Sequence, residues 1–294
     1  MAKTAACSAQ NVPSADWRAG CAIVLLTILS ACSTLPASRG PGGWQGESGD
    51  GPPSVSVDAA AVLDAVPRIE ARSPYGNPAF YEVGGQRYYV MASSAGYVER
   101  GIASWYGTKF HGQRTSSGEP YNMNAMTAAH PTLPIPTYVE VINLRNGRKV
   151  IVKVNDRGPF LRNRLIDLSY VAAMKLGITA EGTGLVEVRA IDPAAPAPPQ
   201  AAEPTVTLVA QHDSAALYVQ VGAFADRNNA ERLSQRVTSL NPNAGIRISE
   251  GAADKAHPPI YRVRIGPLPS VEEVDRLTRK LTDMGVVNAH VVIN

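Results

Sequence analysis

The chain has 294 residues, of which 45% are hydrophobic and 18% charged, so it can bury a core but carries less charge than a typical globular domain. Its 25 Gly and 23 Pro are clustered, which predicts compact domains separated by flexible segments. A formal charge of +3 does not by itself indicate nucleic-acid binding, and no apolar run reaches the ~18 residues of a membrane-spanning helix, so the sequence argues against an integral membrane protein.

The amino-terminal region resembles a bacterial lipoprotein signal. Basic residues precede an apolar run at 21–29, whose length is typical of the hydrophobic part of a signal peptide. The run ends in Leu-Ser-Ala-Cys, as in a lipobox, where the cysteine thiol takes a diacylglycerol before cleavage. We therefore expect residues 1–31 to be removed and Cys32 to be lipidated, with Ser33 favouring sorting to the outer membrane. An ordinary secretory signal with an incidental Cys and a buried strand are the alternatives.

Two segments are rich in small residues and proline. Residues 32–73 hold few aromatic side chains, which predicts a flexible tether with one short helical patch within 55–66. Residues 193–213 form a second, Pro/Ala-rich linker, because repeated prolines favour extended polyproline geometry over packing. Folded domains are therefore expected at 75–192 and 214–294.

The first predicted domain contains short β-like runs separated by turn signals. Gly84 and Gly85 provide the positive φ of a tight hairpin turn, and one helix is predicted at 169–176 with Gly177 as its cap. Many short strands with a single helix predict a small closed β-barrel. The predicted strands lie at residues 81–83, 87–90, 101–106, 138–143, 149–155 and 184–191.

Polar residues in the loops of this domain are candidates for chemistry. Glu119 closes a Thr-Ser-Ser-Gly-Glu loop, Asp156 lies where a strand breaks into a turn, and His130 follows Thr-Ala-Ala. A rigid barrel can hold such loop residues in fixed directions without disturbing its core. From the residues alone, Asp156 could equally form an Asx-turn. His111 and His130 with Asp156 imitate a metal triad, but their spacing does not support it, so we expect no metal.

Six short motifs follow one another across about residues 96–192. They are Gly-Ile-Ala-Ser-Trp-Tyr-Gly (101–107), Phe-His-Gly (110–112), Thr-Ser-Ser-Gly-Glu (115–119), Thr-Ala-Ala-His (127–130), Asn-Asp-Arg-Gly-Pro-Phe (155–160) and Ile-Asp-Leu-Ser (166–169). In this order they resemble the rare lipoprotein A family of septal-ring lytic transglycosylases. The resemblance implies a six-stranded double-psi β-barrel that binds peptidoglycan and, in active members, cleaves its glycan strands.

The resemblance also implies an active site at Asp156, Glu119 and His130. A lytic transglycosylase protonates the glycosidic oxygen between MurNAc and GlcNAc, and the C6 hydroxyl of the same sugar then closes a 1,6-anhydro ring. One carboxyl can therefore act as acid and then as base, without a cofactor. We expect Asp156 to be that carboxyl, with Glu119 and His130 binding or orienting the sugar. Trp105, Tyr106 and Arg157 are the predicted substrate-binding residues of the barrel. The two aromatic rings could stack on sugar faces, with core packing as the alternative for one of them.

One position departs from the family pattern. Asn122 stands where the family commonly has Asp, and the missing carboxylate could lower activity or show that this position only binds substrate. Asp167 is expected to be structural and to fix the turn before the helix. Because a barrel of this kind can hold glycan without cutting it, as in expansin, a non-catalytic peptidoglycan-binding lipoprotein is the alternative function.

The second predicted domain has the order βαββαβ, which places two helices on one face of a four-stranded antiparallel sheet. Its motifs Tyr-Val-Gln-Val-Gly-Ala-Phe at 218–224 and Tyr-Arg-Val-Arg-Ile-Gly-Pro at 261–267 resemble the SPOR (sporulation-related repeat) domain, which recognises glycan strands stripped of stem peptides. An RNA-binding domain of the same order would need stacking aromatics on its central strands, so we expect no nucleic acid. Period-two alternation predicts an open, glycan-binding face of Tyr218, Gln220, Arg262 and Arg264.

Together these features predict a lipid-anchored enzyme at the periplasmic face of the outer membrane. The SPOR-like domain would concentrate it at the division septum, where it would cut denuded glycan and help daughter cells to separate. Lys and Arg outnumber Asp and Glu in both domains, which suits a glycan that carries lactyl carboxylates. We expect a monomer, with division-site proteins as candidate partners.

Overall fold

The computed structural model describes residues 50–54, 57–195, 215–239, 245–251 and 259–294. The predicted signal peptide, Cys32 and most of the predicted linker lie outside these residues. None of the helices within the described ranges is both long and apolar enough to cross a bilayer.

A closed barrel of six strands forms the first domain, in agreement with the predicted fold. Within the described residues this domain consists of β1 (Phe80–Val83), β2 (Gln86–Tyr89), β3 (Val98–Tyr106), β4 (Thr127–Ala129), β5 (Thr137–Asn143), β6 (Lys149–Asp156), β7 (Ile166–Ser169), α1 (Tyr170–Leu176) and β8 (Gly184–Ala190). The barrel order is β3-β7-β4-β6-β5-β8. The pairs β3/β7 and β4/β6 are parallel and the other four are antiparallel, while β1 and β2 form a separate hairpin.

Alternating valines and a short helix build the barrel core. On β6 the side chains of Val150, Val152 and Val154 are fully buried, as strand periodicity predicts. Helix α1 begins where the Ser169 hydroxyl accepts a hydrogen bond from the Ala172 N–H (3.3 Å), and Gly177, at φ 72°, ends it. Sequence patterns predict neither β4 nor β7, because strands of three or four residues are too short to show a period.

Residues 57–79, which we call the strap, run along the barrel. The Asp64 carboxylate accepts the Ile151 N–H (2.9 Å) and pairs with Lys175. Further along, the Ser73 N–H donates to the Ile135 carbonyl (2.9 Å). A 3₁₀ helix at Ala59–Ala61 lies within the predicted helical patch. The composition of residues 57–73 indicates a tether, yet small apolar side chains here pack on the barrel core, among them Val57, Ala59, Val62 and Ala65.

The second domain has the predicted βαββαβ order. Its elements are β9 (Leu217–Phe224), α2 (Arg227–Thr238), β10 (Ile246–Glu250), β11 (Tyr261–Leu268), α3 (Val271–Asp283) and β12 (His290–Ile293). The antiparallel sheet has the order β10-β11-β9-β12. The helices bury Ala230, Val237, Val274 and Leu277 against strand residues such as Val219 and Val263, so one face of the sheet is covered.

The barrel and the second domain share an apolar cluster and an ion pair. Ile102 and Leu185 of the barrel are buried in the same cluster as the core of the second domain. The Arg164 guanidinium donates to both carboxylate oxygens of Asp275 (3.2 and 2.7 Å), and Asn163 Nδ2 donates to Thr278 Oγ1 (3.1 Å). Side chains of the barrel wall therefore join the core of the second domain, and the loop before β7 binds helix α3.

Candidate active site

Asp156 lies at the carboxyl end of β6 and is half-buried. Its Oδ1 accepts hydrogen bonds from the Ser116 N–H (2.8 Å), the Ser116 hydroxyl (2.7 Å) and the Arg157 N–H (2.7 Å). Within the described residues no donor reaches Oδ2. The carboxyl group is therefore held in one orientation, with one oxygen left for a ligand.

The loop at 115–119 folds back on itself and brings Glu119 to the same end of β6. The Thr115 N–H donates to the Glu119 carbonyl (2.8 Å), and Gly118 adopts φ 96°, a conformation that favours glycine. The Ser117 N–H then donates to the Asn155 carbonyl (3.1 Å), which joins the loop to the strand. The structure thus brings together Asp156 and Glu119, which are far apart in sequence.

Both carboxylate oxygens of Glu119 have partners. Asn155 Nδ2 donates to Oε2 (2.8 Å), and the Lys153 ammonium donates to Oε1 (3.0 Å). Partial burial by itself raises the pKa of Glu119, but the bonds from Asn155 and Lys153 outweigh it and lower the pKa below its ordinary value. Glu119 is therefore a fixed, ionised carboxylate at neutral pH.

Lys153 also binds a second carboxylate, that of Glu70 in the strap (Nζ to Oε2, 3.1 Å). Burial would raise the pKa of Glu70, but hydrogen bonds from Tyr138, Arg68 and Lys153 lower it to about 2. The motifs do not include either residue. Period-two alternation places Lys153 on the polar side of β6, but nothing local indicates its partner, because residue 70 belongs to a segment with the composition of a tether.

His130 is almost completely buried, with 1% of its surface exposed. Its Nδ1 accepts the N–H groups of Thr132 (3.2 Å) and Leu133 (3.0 Å), so the ring proton is assigned to Nε2, which lies 2.8 Å from the Tyr97 hydroxyl. Burial, aided by Arg157, lowers the pKa of His130 to about 3. The backbone N–H of His130 donates to the Asp156 carbonyl (3.1 Å). The imidazole is therefore neutral, and the backbone of His130 supports the Asp156 segment.

Arg157 directs its guanidinium toward the protein. It donates to the carbonyls of Gly76 (2.8 Å), His130 (3.0 Å) and Leu133 (2.6 Å), and to Asn77 Oδ1 (3.2 Å). Burial lowers the pKa of Arg157 to about 10, so the group stays cationic. Its bonds join the strap to the segment that follows β4.

The other predicted barrel residues lie beside a cleft of about 870 Å³. Trp105 and Tyr106 line it but are each 8% exposed. Trp105 makes an edge contact with Tyr170 (centroids 5.3 Å apart), and Tyr106 stacks on Tyr121 (3.9 Å). Phe160 lines the same cleft with 42% of its surface exposed. Aromatic neighbours therefore bury most of Trp105 and Tyr106, and Asp156 and Glu119 are not among the residues that line this cleft.

Two further positions gain a structural explanation. Asn122 is exposed and its Oδ1 accepts the Asn124 N–H (3.0 Å), a turn contact that Asp makes equally well. Asp167 accepts a hydrogen bond from the Ser104 hydroxyl, and burial raises the pKa of Asp167 to about 6. Asp167 therefore joins β7 to β3 through its side chain, and the Ser169 hydroxyl makes the contact that caps helix α1.

The open face of the second sheet has the predicted alternation. Val219, Val221 and Val263 are buried beneath the helices. Arg264 Nε donates to Gln220 Oε1 (3.2 Å), which holds the guanidinium along the sheet. The half-exposed side chains of this face include Tyr218, Gln220, Arg262 and Arg264. Among the residues that the structure describes, no group of three His, Cys, Asp or Glu side chains could hold a metal ion.

Comparison with known proteins covers both domains. Residues 98–189 match the family model described as lytic transglycolase, and residues 213–292 match the SPOR domain model. The endolytic peptidoglycan transglycosylase RlpA of Pseudomonas aeruginosa strain PAO1 is 40% identical over an alignment 306 residues long. The match covers 85% of this chain and 88% of that protein.

Two other relatives are similar over most of their length. The protein of the same name from Vibrio cholerae serotype O1 is 34% identical over 269 residues, 92% of this chain and 94% of its own. That of Neisseria meningitidis serogroup A is 39% identical over 216 residues, 72% of this chain and 82% of its own. With its lytic transglycolase barrel followed by a SPOR domain, the chain belongs to the RlpA family of endolytic peptidoglycan transglycosylases.

Proposed function

We propose that this protein cleaves MurNAc–GlcNAc bonds within denuded peptidoglycan strands and leaves 1,6-anhydro-MurNAc ends. The observation that carries the proposal is the Asp156 carboxyl, which three donors hold by one oxygen while no donor from the described residues reaches the other. The ionised Glu119 carboxylate lies at the same end of β6.

Asp156 would serve as acid and then as base. Its carboxyl proton passes to the glycosidic oxygen as the bond from that oxygen to C1 of MurNAc breaks. The resulting carboxylate accepts the proton of the C6 hydroxyl as O6 bonds to C1, which restores the starting state without consuming water. Positive charge develops at the sugar ring in between, and the fixed Glu119 carboxylate is suited to stabilise it.

His130 and Arg157 would act by positioning. The His130 N–H binds the carbonyl of Asp156, and Arg157 binds the carbonyl of His130. With so little of its imidazole exposed and its pKa near 3, His130 is suited to hold the aspartate segment and not to exchange protons with a sugar. This role differs from the sugar contact that the motif alone suggests.

The second domain would bind glycan strands that lack stem peptides, through its open face. Amide, phenol and guanidinium groups on that face, from Gln220, Tyr218 and Arg264, match sugar hydroxyls, sugar faces and lactyl carboxylates. We also propose a lipid on Cys32 that holds the protein at the periplasmic face of the outer membrane, and enrichment at the division septum. The lipobox-like sequence and the SPOR match support these two assignments.

Product analysis tests the reaction. The purified full chain is mixed with sacculi that an amidase has stripped of stem peptides, and the soluble products are identified by mass spectrometry. We expect 1,6-anhydro products from the wild type and from the exposed control Asp192→Asn, and at least a 100-fold loss in Asp156→Asn because the proton-transferring group is gone. Reducing-end products would instead indicate a hydrolase, and a folded wild type that releases nothing would indicate a binding protein.

A further inference from the structure

A carboxylate from outside the barrel reaches the candidate active site. Glu70 lies in the strap, before the segment that matches the lytic transglycolase model. Its Oε2 accepts a hydrogen bond from the Lys153 ammonium (3.1 Å), and the same ammonium donates to Glu119 (3.0 Å). One cation is therefore shared between two carboxylates that are 49 positions apart in the sequence.

We propose that Glu70 is a positioning residue of the active site, which acts through Lys153 to orient Glu119 and to keep the three-residue cluster negatively charged. The proposal rests on the proposed function, in which the Glu119 carboxylate stabilises positive charge on the sugar. A lone Lys153–Glu119 pair would have no net charge. With Glu70 present, two carboxylates share the one largely buried ammonium. The other cation on Glu70, Arg68, is 70% exposed and screened by water, so negative charge remains beside Asn155 and Asp156.

The position of Lys153 makes this sharing effective. The Lys153 side chain is 16% exposed, whereas that of Glu119 is 49% exposed. Water therefore screens the charge of the Lys153 ammonium less than that of the Glu119 carboxylate. Both carboxylates raise the pKa of Lys153 against the effect of burial, so the cation persists at neutral pH. Glu119 thus has its Oε1 fixed by a group that Glu70 in turn holds.

Glu70 is itself held by the barrel. The hydroxyl of Tyr138 on β5, a residue that is 5% exposed, donates to Oε1 of Glu70. Arg68 donates to the same oxygen (2.9 Å), but its side chain is 70% exposed, so water screens its charge more than that of Lys153. Near the other end of the strap, Arg157 binds the carbonyl of Gly76. The catalytic unit therefore begins within the strap, and a fragment that starts at residue 75 lacks one of its carboxylates.

The test compares Glu70→Gln, Glu70→Asp and Lys153→Met in the full chain. The Glu119 carboxyl is titrated by ¹³C NMR, with its signal identified by its loss in Glu119→Gln. We expect Glu70→Gln to lower the pKa of Glu119 further, because a nearby negative charge is removed and Lys153 becomes free to bind Glu119 alone. Lys153→Met should shift the pKa of Glu119 upward. Opposite shifts from two uncharged replacements are not expected from a merely structural role.

Kinetics on peptide-free strands give the second readout. We expect Glu70→Gln to lower kcat roughly tenfold with little change in KM, since the interaction matters mainly in the charged transition state, and Glu70→Asp to recover part of the loss. Glu181→Gln, in an exposed ion pair with Arg145, is the matched control and should change neither quantity. Near-ultraviolet circular dichroism checks that each variant is folded.

Two results separate this inference from the proposed reaction. An unchanged Glu119 titration together with an unchanged kcat in folded Glu70→Gln would overturn the role of Glu70 while leaving the reaction intact. A wild type that releases no anhydro product would overturn the reaction, and the NMR shifts would still report whether Glu70 acts on Glu119 through Lys153.

Discussion

The pKa values of the ionisable side chains around the barrel are set by burial and by hydrogen-bond partners. Hydrogen bonds from Tyr138, Arg68 and Lys153 lower the pKa of Glu70, and bonds from Asn155 and Lys153 lower that of Glu119, against the effect of burial. Asp167 accepts a hydrogen bond from the neutral Ser104 hydroxyl, and burial outweighs this bond and the charge of Arg164 and raises the pKa of Asp167 to about 6. His130 is enclosed near Arg157, which lowers its pKa to about 3. Environment therefore decides which of these groups stays charged at neutral pH.

The buried His130 gives stability a predictable pH dependence. Its pKa is about 3 in the folded protein against an ordinary 6.5, so the unfolded chain binds the proton first and stability is lost as the pH falls from 6.5 toward 3. We expect the loss of unfolding free energy between pH 7 and pH 4, measured with urea, to be smaller in His130→Gln than in the wild type. Equal losses would contradict this assignment.

Protonation of Asp167 changes the unfolding free energy in the opposite direction over part of this pH range, so a variant of Asp167 serves as the control. Its folded pKa of about 6 exceeds the ordinary 3.8, so the folded protein binds the proton first and gains stability as the pH falls from 6 to 3.8. Asp167→Asn removes this contribution, so its unfolding free energy should fall more steeply on acidification than that of the wild type. The two variants therefore bracket the wild-type curve.

Among the secondary-structure elements, length and exposure decide what local patterns can predict. Strands β5 and β6 are long enough for their buried valines to show a period of two. Strands β4 and β7 are short and are defined by pairing with neighbours on both sides. In the second domain, β9 and β11 bury alternate residues under the helices, so the sequence predicts the open face correctly.

The open face allows a binding prediction. Arg264 is half-exposed and bonds to Gln220 and Asn294, so replacing it should leave the fold intact. In an Asp156→Asn background, which prevents cleavage, we expect Arg262→Ala combined with Arg264→Ala to weaken binding to peptide-free glycan at least tenfold, because two cations that face an anionic polymer are lost. Co-sedimentation with sacculi measures this. Arg232→Ala, on the exposed side of α2, should bind as well as the Asp156→Asn parent. Equal binding by the parent, the double variant and Arg232→Ala would argue against glycan binding by the open face.

For the molecule as a whole, the contact between the two domains is what local sequence does not reveal. Ile102 on β3 turns outward and joins the core of the second domain, while its neighbour Ala103 lies in the barrel core. Arg164, whose side chain is 6% exposed, pairs with Asp275 on α3. Both domain folds are predictable from the sequence, but their shared surface is not.

This contact should depend on the buried ion pair. Asp275→Ala leaves the Arg164 guanidinium enclosed without its carboxylate, a change that typically costs about 3 kcal/mol or more in buried pairs. We expect a larger radius of gyration by small-angle X-ray scattering and a lower melting temperature. Asp283→Ala, near the end of the same helix, has no barrel partner among the described residues and is the control. Identical scattering from the wild type, Asp275→Ala and Asp283→Ala would contradict the prediction.

The sequence by itself determined the elements that depend on near neighbours: the alternating strands of the barrel, helix α1 with its Gly177 cap, the βαββαβ order, and the motif carboxyls Asp156 and Glu119. Only the tertiary structure decided which oxygen of Asp156 is left open, that His130 is sealed inside, and that Glu70 shares Lys153 with Glu119. The physical reason is the sequence distance over which each interaction acts. Periodicity and capping act over a few residues, whereas burial and ion pairing depend on groups that the chain brings together from distant positions.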